Sequence, residues 1–438
     1  MSGHYRDIAQ LSGPIIVAQL GTIATGYADT MMVGHYATAA LGAASFVNNA
    51  TMLAILLSLG FSYGITPLVG ALHARGDATS VGAMLRQVTV ANALFGAALM
   101  ALMAIFYFLI DDLGQPAELL PLIKSYYRII WVSMIAVIFT HVWRQFCDAL
   151  GHTSLGMWIF SMGNVLNIVG NYALIYGHWG APELGLDGAG WSTLAGRLLM
   201  CVAYLVVLSS APRYRPMWRA FKTSTCSRRA ISCVFKSSLP VAVQMGLETA
   251  IFTFALILVG WFGTNALAAY QVLLMLGNLG FMIYYAFGAG TAIRIAHFHG
   301  LGDKASIRAC ARAGYTLTLL FTGMSCAIFY FFGRYIISFF TSDPAVIAIA
   351  LSLIPPLLVY QLGDATQVTF ANALRGMNCT VAMMRGAVVA YVLLGFPAIY
   401  LLAITIGYGI VGIYYGFFIA LLAAAFLFLR DFYRSTRR

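Results

Sequence analysis

The stretch Gly13–Gly34, GPIIVAQLGTIATGYADTMMVG, is apolar and long enough to cross a membrane, yet it carries a carboxylate at Asp29. An α-helix rises about 1.5 Å per residue, so a segment of this length covers the roughly 30 Å hydrocarbon core of a bilayer. A charge inside such a helix costs roughly 2.5–3.5 kcal/mol on insertion scales. We therefore predict a transmembrane helix whose single acidic residue has a functional reason to be there.

The composition extends this interpretation to the whole chain. Of the 438 residues, 61% are hydrophobic and 9% are charged, whereas a soluble globular chain has about 25% charged residues. A backbone inside a bilayer must satisfy its own hydrogen bonds, which favours helices for apolar segments of this length. We predict an all-α integral membrane protein with twelve transmembrane helices, near residues 12–33, 41–72, 85–110, 121–147, 154–177, 188–209, 236–262, 266–296, 309–333, 346–373, 381–405 and 409–429.

The formal charge of +11 is distributed unevenly among the connections between these helices. If the N-terminus lies in the cytoplasm, the inner connections and both termini carry most of the basic residues, including the cluster from Arg213 to Lys236. The outer connections carry only Lys124, Arg128 and Arg334, together with several acids. This is the positive-inside pattern, and it predicts that both termini are cytoplasmic. Because the pattern accounts for the charge, we expect no nucleic-acid partner.

A sequence repeat divides the chain into two halves. Twelve residues recur without gaps 226 positions later: Ser12, Pro14, Val17, Ala24, Val33, Gly34, Ala40, Leu41, Gly64, His73, Gly76 and Asp77. Each half has six spans and so begins on the same side of the membrane, which makes the repeat parallel, with a pseudo-two-fold axis along the membrane normal. We predict an N-terminal six-helix lobe at 1–210, a basic cytoplasmic linker at 211–235 and a C-terminal six-helix lobe at 236–438. The alternative is a structural duplication without a role in transport.

Three acidic residues fall inside the predicted spans: Asp29 in the first, Glu248 in the seventh and Asp364 in the tenth. A buried carboxylate that takes up a proton serves proton coupling, and one that stays ionised attracts a cation such as Na⁺. The alternative for each is a structural acid that hydrogen-bonds a neighbouring helix. The repeat places Thr22 opposite Glu248 and Ala255 opposite Asp29. We therefore predict two unlike polar sites, coupled to H⁺ or Na⁺, with Glu248 and Asp364 as the candidate Na⁺ ligands.

Further polar residues accompany these acids. Asn164, Asn167 and Asn171 lie at i, i+3 and i+7 on one face of the fifth span, where amides need partners in the bundle interior. The residues about one helical turn from Glu248 or Asp364 are Gln244, Tyr360, Gln361 and Gln367. Weaker candidates for a substrate cleft, since such residues more often serve packing, are Met282 and Tyr284, with Gln244 and Gln361. Arg197, inside the sixth span, has two open roles: to neutralise an acid or to reach the membrane surface.

Several stretches together resemble the multidrug and toxic compound extrusion (MATE) family, nearest its NorM-like branch. They are GPIIVAQLGTIATGYADTMMVG (13–34), LDGAGWSTLAG (186–196), LPVAVQMGLETAIF (239–252), ALAAYQVLLMLGNLGFMIYYAFGAGTAIRIAHFHGLGD (266–303) and DATQVTFANALRGM (364–377). The resemblance implies that Asp29 is the acid of the N-terminal lobe, with Asn167, Asn171 and Thr193 as its polar partners. It also implies a cation site at Glu248 and Asp364, with Tyr360 beside it. Two positions depart from the family: archaeal-type relatives carry an aspartate at Asn171, and the eighth-span motif usually has histidine at Tyr270.

The function that this resemblance implies is secondary active antiport. The protein would export organic cations and drugs in exchange for H⁺ or Na⁺ by alternating access of the two lobes, without a cofactor, as a monomer in the bacterial inner membrane. One alternative is a flippase for a lipid-linked precursor, which should carry cationic residues in its cavity, whereas the charge inside these spans is mainly acidic. A membrane-embedded enzyme is disfavoured because there is no intramembrane GxSxG or histidine-rich constellation. A passive channel would dissipate a gradient instead of exporting against one.

Overall fold

The fold is helical throughout the part of the chain that the structure, a computed structural model, describes, which is residues 2–437. Within that range no strand occurs, and twelve helical segments are long and apolar enough to cross a membrane. The predictions of an all-α membrane protein and of twelve spans are therefore confirmed.

The chain divides into two compact units. One is Pro14–Ala242, and the other combines the described residues of Val243–Arg438 with the described residues that precede Pro14. The two boundaries lie beside or close to Pro14 and Pro240, which are repeat partners inside long helices. A proline removes one backbone hydrogen bond from a helix, so each helix passes from one unit to the other at a weakened point. The predicted lobe limits at 210 and 236 remain a prediction.

The unit Pro14–Ala242 contains most of the first helix and the six helices or helix segments that complete its spans. The helices are α1 (Ser2–Tyr36), α2 (Thr38–Tyr63), α3 (Ile65–Ala74), α4 (Ala78–Leu109), α5 (Leu120–Ala149), α6 (Thr153–Tyr176) and α7 (Leu186–Ser210), followed by the short α8 (Arg215–Thr223) and the start of α9 (Arg228–Gly260). The helix α8 lies in the predicted linker and is held on α4, where Arg86 donates hydrogen bonds to the carbonyls of Phe221 at 3.3 Å and Lys222 at 3.1 Å.

The second unit contains the rest of α9 and the helices that follow it. They are α10 (Thr264–Leu301), α11 (Lys304–Phe340), α12 (Pro344–Gly376), α13 (Thr380–Ala387), α14 (Phe396–Tyr400) and α15 (Gly409–Arg437). The π-helical segments Val388–Gly395 and Leu401–Thr405 join α13 and α14 into one span, Thr380–Thr405. Such segments are frequently found at functional sites.

The repeated Gly-Asp pair forms the same turn in both units. Gly76 and Gly302 have φ values of 76° and 73°, a left-handed conformation that glycine adopts without strain. The aspartates that follow, Asp77 and Asp303, cap α4 and α11, and each accepts a hydrogen bond at 3.0 Å from the backbone N–H three residues later. Hydrogen bonds from the serine three residues on hold the pKa of both carboxyls below its usual value. The repeat thus preserves the way in which two spans are joined.

Two further repeat partners, Gly64 and Gly290, allow α9 and α1 to approach closely at Ser238 and Ser12, about three turns into each helix. A Cβ atom at Gly64, between α2 and α3, would overlap Cα and Oγ of Ser238 and lie 2.7 Å from its backbone nitrogen. A Cβ atom at Gly290, in α10, would lie 2.5 Å from Oγ of Ser12. Ser237 also donates a hydrogen bond to the carbonyl of Gly64 at 2.8 Å. Each unit is thus completed by the start of a helix from the other repeat, seated on a glycine.

Candidate functional site

The unit Pro14–Ala242 holds Asp29 in a network of amides. The Oδ1 atom of Asp29 accepts a hydrogen bond from the amide of Asn171. The amide of Asn167 forms its hydrogen bonds in one of its two possible orientations. In that orientation its nitrogen donates to the same Oδ1 atom at 2.8 Å, and its oxygen accepts from the N–H of Thr193 at 3.3 Å and from the Thr193 hydroxyl at 3.1 Å. The structure therefore brings together all four residues predicted for this site.

The helix α6 places these amides by its periodicity. Asn167 and Asn171 are one turn apart and are 6% and 0% exposed, which directs both side chains into the unit. The Oδ1 atom of Asn171 is buried without a hydrogen-bond partner among residues 2–437, and the same holds for Nδ2 of Asn164 two turns earlier. An amide oxygen only accepts hydrogen bonds, so the site offers an unused acceptor to the hydroxyl of a protonated carboxyl or to a cation.

Arg197 also lies inside this unit. Its Nη1 atom donates a hydrogen bond to Oγ of Ser133 at 2.6 Å, and its charge is within electrostatic range of Asp29 and Tyr126. Of the two roles left open by the sequence, the structure favours charge compensation within the unit. Tyr126 and Ser133 were not among the predicted residues, because both lie on α5, whose one acid, Asp148, is at the far end of the helix and pairs with Arg144.

The second unit holds the other two acids in one site. Asp364, on α12, is 3% exposed, and its Oδ2 atom accepts a hydrogen bond from the hydroxyl of Tyr284 on α10. Glu248, on α9, accepts at Oε2 from the amides of Gln244 at 2.6 Å and Gln367 at 3.5 Å. Because Gln367 lies one turn beyond Asp364, α12 lines both carboxylates, and the two charges are close enough to repel each other.

The remaining predicted residues lie around this pair with different contacts. Tyr360 is buried and packs its ring against Tyr414 and Phe417, so among the described residues Tyr284 is the tyrosine that donates to Asp364. Gln361 is fully buried and Met282 is partly buried.

Tyr391 is a member of the site that the sequence did not reveal. It lies on the π-helical segment Val388–Gly395, it is fully buried beside Gln244, and it is within electrostatic range of Glu248 and Asp364. A π-helical turn shifts the face on which a side chain lies, so α-helical periodicity could not place it.

This second site combines two carboxylates with buried oxygen atoms that accept no hydrogen bond from the described residues. Within residues 2–437, Oδ1 of Asp364 and Oε1 of Gln367 are buried and receive no hydrogen bond. Buried acceptors of this kind are rare unless a donor or a cation satisfies them. Carboxylate and amide oxygens are also the ligand type that hard cations prefer. The site therefore suits a proton or an alkali cation.

Comparison with known proteins agrees with the fold. The MatE family model matches residues 14–173 and 240–401. Multidrug resistance protein PmpM of Pseudomonas aeruginosa is 31% identical, over 99% of this chain and 92% of its own length. Multidrug resistance protein NorM of Aliivibrio fischeri is 27% identical, over 96% and 92%.

Solved structures show the same fold at lower identity. A MOP superfamily transporter from Pyrococcus furiosus superposes with a TM-score of 0.87 at 16% identity, over 99% of this chain and 96% of that one. A eukaryotic MATE transporter gives a TM-score of 0.86 at 18% identity, over 99% and 97%. With a family model that matches both repeats and relatives aligned over nearly the whole length, the chain belongs to the MatE family, in its NorM-like branch, and is a multi-pass membrane transporter and not an enzyme.

Proposed function

We propose that the protein is a multidrug efflux antiporter that exports cationic organic molecules in exchange for H⁺ or Na⁺. PmpM and NorM both carry the name multidrug resistance protein. The observation that carries the proposal for this chain is the state of its membrane-embedded acids. Asp29, Glu248 and Asp364 lie beside buried acceptor oxygens, on Asn171 and Gln367, that have no donor within residues 2–437.

The coupling follows from competition for negative charge. A carboxylate that holds a proton or Na⁺ offers less attraction to a cationic drug, so loading the ion on one side of the membrane displaces the drug. Release of the ion on the other side restores the charge that draws the next drug molecule. A ligand shifts an alternating-access equilibrium only by its differential affinity for the two states, and the carboxylates supply that difference for both ligands.

The two sites favour different ions. Asp29 is a single carboxylate beside the unused acceptor oxygen of Asn171, an arrangement that suits one reversible proton. The two amide donors and the Arg197 guanidinium stabilise the carboxylate once the proton has left. The pair of Glu248 and Asp364 brings two carboxylates and unpaired oxygens together, an arrangement that suits Na⁺. These are alternative coupling sites, and either is compatible with a cationic substrate. A flippase for a lipid-linked phosphate would instead require net positive charge at these positions.

Transport in proteoliposomes tests the proposal and separates the two ions. A fluorescent organic cation is followed while a pH gradient and a Na⁺ gradient are imposed separately. If Na⁺ is the coupling ion, the Na⁺ gradient alone drives uphill transport, and Glu248→Gln or Asp364→Asn lowers the rate at least about tenfold, the loss of about 1.4 kcal/mol. If H⁺ is the coupling ion, the pH gradient alone suffices and Asp29→Asn has that effect.

The matched control is Asp112→Asn, which removes an exposed acid outside the site. Its transport should equal that of the unmodified protein. The proposal fails if all three single neutralisations leave uphill transport intact, or if the protein only dissipates the gradients, as a channel would.

We also propose that the protein is a monomer of the bacterial inner membrane with both termini in the cytoplasm. Two exposed cysteines, Cys226 and Cys233, lie between the two repeats on the side predicted to be cytoplasmic. A membrane-impermeant maleimide should therefore label them only after cells are permeabilised. Labelling of these cysteines in intact cells would show the opposite orientation and contradict the proposal.

A further inference from the structure

A basic cavity of about 370 Å³ lies between α13 and α15, away from the acids of the transport site. Its lining includes Arg385 near the start of one span and Arg430 and Arg434 near the end of the next. The two spans follow one another in the sequence and cross the membrane in opposite directions, so the three arginines lie at the same end of both. We propose that this cavity binds the phosphate headgroup of an anionic phospholipid.

The charges of the lining favour an anion. Arg430 forms an ion pair with Asp431, with 2.9 Å between Nη2 and Oδ1. Within residues 2–437, no carboxylate lies within 4.0 Å of the guanidinium of Arg385 or Arg434. The lining therefore keeps two uncompensated positive charges. A guanidinium presents parallel N–H donors that match the oxygens of a phosphate.

The apolar part of the cavity favours a lipid over a free phosphate. Val389 lies one turn deeper in its span than Arg385, and Leu427 lies about one turn deeper than Arg430; both line the cavity. Still further into the two spans, Leu393 and Phe426 are 62% and 64% exposed. A phospholipid places its phosphate at the level of the arginines and its acyl chains along such apolar surface. A free phosphate gains nothing from the apolar residues.

Lipid binding to the purified protein tests this assignment without any measurement of transport. Native mass spectrometry follows titration with dioctanoyl phosphatidylglycerol, with dioctanoyl phosphatidylcholine as the zwitterionic comparison. The test variant is Arg385→Gln/Arg434→Gln, which leaves the Arg430 ion pair in place. The control is Lys304→Gln/Arg312→Gln, which removes two exposed basic residues of α11 in the same unit.

We expect phosphatidylglycerol to bind the unmodified protein and the control with affinities that agree within about twofold. The test variant should bind about 25-fold more weakly at low salt, since each arginine near a lipid surface accounts for roughly fivefold. Binding by the unmodified protein should also weaken as ionic strength rises, because the arginines are exposed to solvent.

Three results would overturn the assignment. They are equal binding by the test variant, equal binding of phosphatidylcholine, and protection against thermal unfolding by inorganic phosphate that matches that of the lipid. If the test variant does not fold, salt-insensitive binding to the unmodified protein would be equally decisive. None of these results depends on the transport proposal, because binding alone is measured.

Discussion

The two serine–glycine contacts that seat α1 and α9 differ in a way that mutation can measure. In Gly64→Ala, the new Cβ atom would overlap Cα of Ser238 and lie 2.7 Å from its backbone nitrogen. In Gly290→Ala, it would lie 2.5 Å from Oγ of Ser12, with the nearest backbone atom, the carbonyl oxygen of Ile8, at 3.2 Å. Carbon atoms pack at about 3.5–4.0 Å. The first change therefore requires movement of a helix backbone, whereas the second requires mainly rotation of a hydroxyl.

The expected magnitudes follow from this difference. Overpacking a core costs typically about 1–3 kcal/mol. Gly64 has φ −65° and ψ −10°, which alanine also adopts, so the mutant regains only about 0.4–1 kcal/mol from a less flexible unfolded chain. We expect Gly64→Ala to lower the free energy of unfolding by about 2 kcal/mol. For Gly290→Ala, after rotation of the Ser12 side chain, we expect a loss below about 1 kcal/mol.

Thermal unfolding in detergent, followed by tryptophan fluorescence, measures these changes together with a second substitution. Ser12→Ala removes the oxygen that the Gly290→Ala side chain meets, so the double mutant should recover the stability of Ser12→Ala alone. Ser238→Ala leaves the overlapping Cα atom in place, so it should not rescue Gly64→Ala. The reasoning is refuted if Ser238→Ala restores Gly64→Ala, or if the two glycine substitutions lower the melting temperature equally.

A buried tyrosine and a histidine outside the spans give two more expectations. Tyr284→Phe should lower the free energy of unfolding, measured by chemical denaturation, by roughly 1.5–3 kcal/mol, because it removes the hydroxyl that donates to the Asp364 carboxylate. The control is Tyr270→Phe on the same helix, whose hydroxyl is buried without a partner in the described chain and whose loss should cost under about 0.5 kcal/mol. Equal losses in the two variants would contradict this reasoning. Burial lowers the pKa of His152, whose Nδ1 atom lies 2.6 Å from the hydroxyl of Tyr214, to about 4. As the pH falls, the imidazole of the unfolded chain is protonated first, near pH 6.5. Stability should therefore fall as the pH drops from about 6.5 towards 4. If His152→Gln leaves the pH dependence of the melting temperature unaltered, His152 is not the cause of that dependence.

The interior position of two amides at the N-terminal site was predictable from residue type and spacing, whereas their partnership with Asp29 was implied by the family resemblance. Asn167 and Asn171 are amides one turn apart in an apolar span, and such residues must face the interior of the bundle. In the structure both contact Asp29. The twelve spans were predictable for a similar reason, since each is a long apolar segment and hydropathy identifies it directly.

The tyrosine that donates to Asp364 was not predictable from spacing within one helix. Spacing within α12 pointed to Tyr360, four residues before Asp364, yet the donor to Asp364 is Tyr284, which lies 80 residues away on α10. Helical periodicity in one sequence describes the faces of each helix and does not determine which faces meet. The unit boundaries at Gly13 and Ala242 were hidden for another reason: both fall inside continuous helices, where no change of composition marks them.

The repeat preserves the contacts by which helices pack, and it does not preserve the acidic residues of the two sites. Gly64 and Gly290 seat equivalent helix starts, whereas Thr22 occupies the position opposite Glu248. The hydroxyl of Thr22 donates to the carbonyl of Ala18 in its own helix at 3.0 Å, so this position needs no partner elsewhere. A duplicated scaffold with unlike acids cannot exchange the roles of its halves. We therefore expect that a loss of coupling caused by neutralising the acid of one half is not compensated by the other half, whichever ion is used.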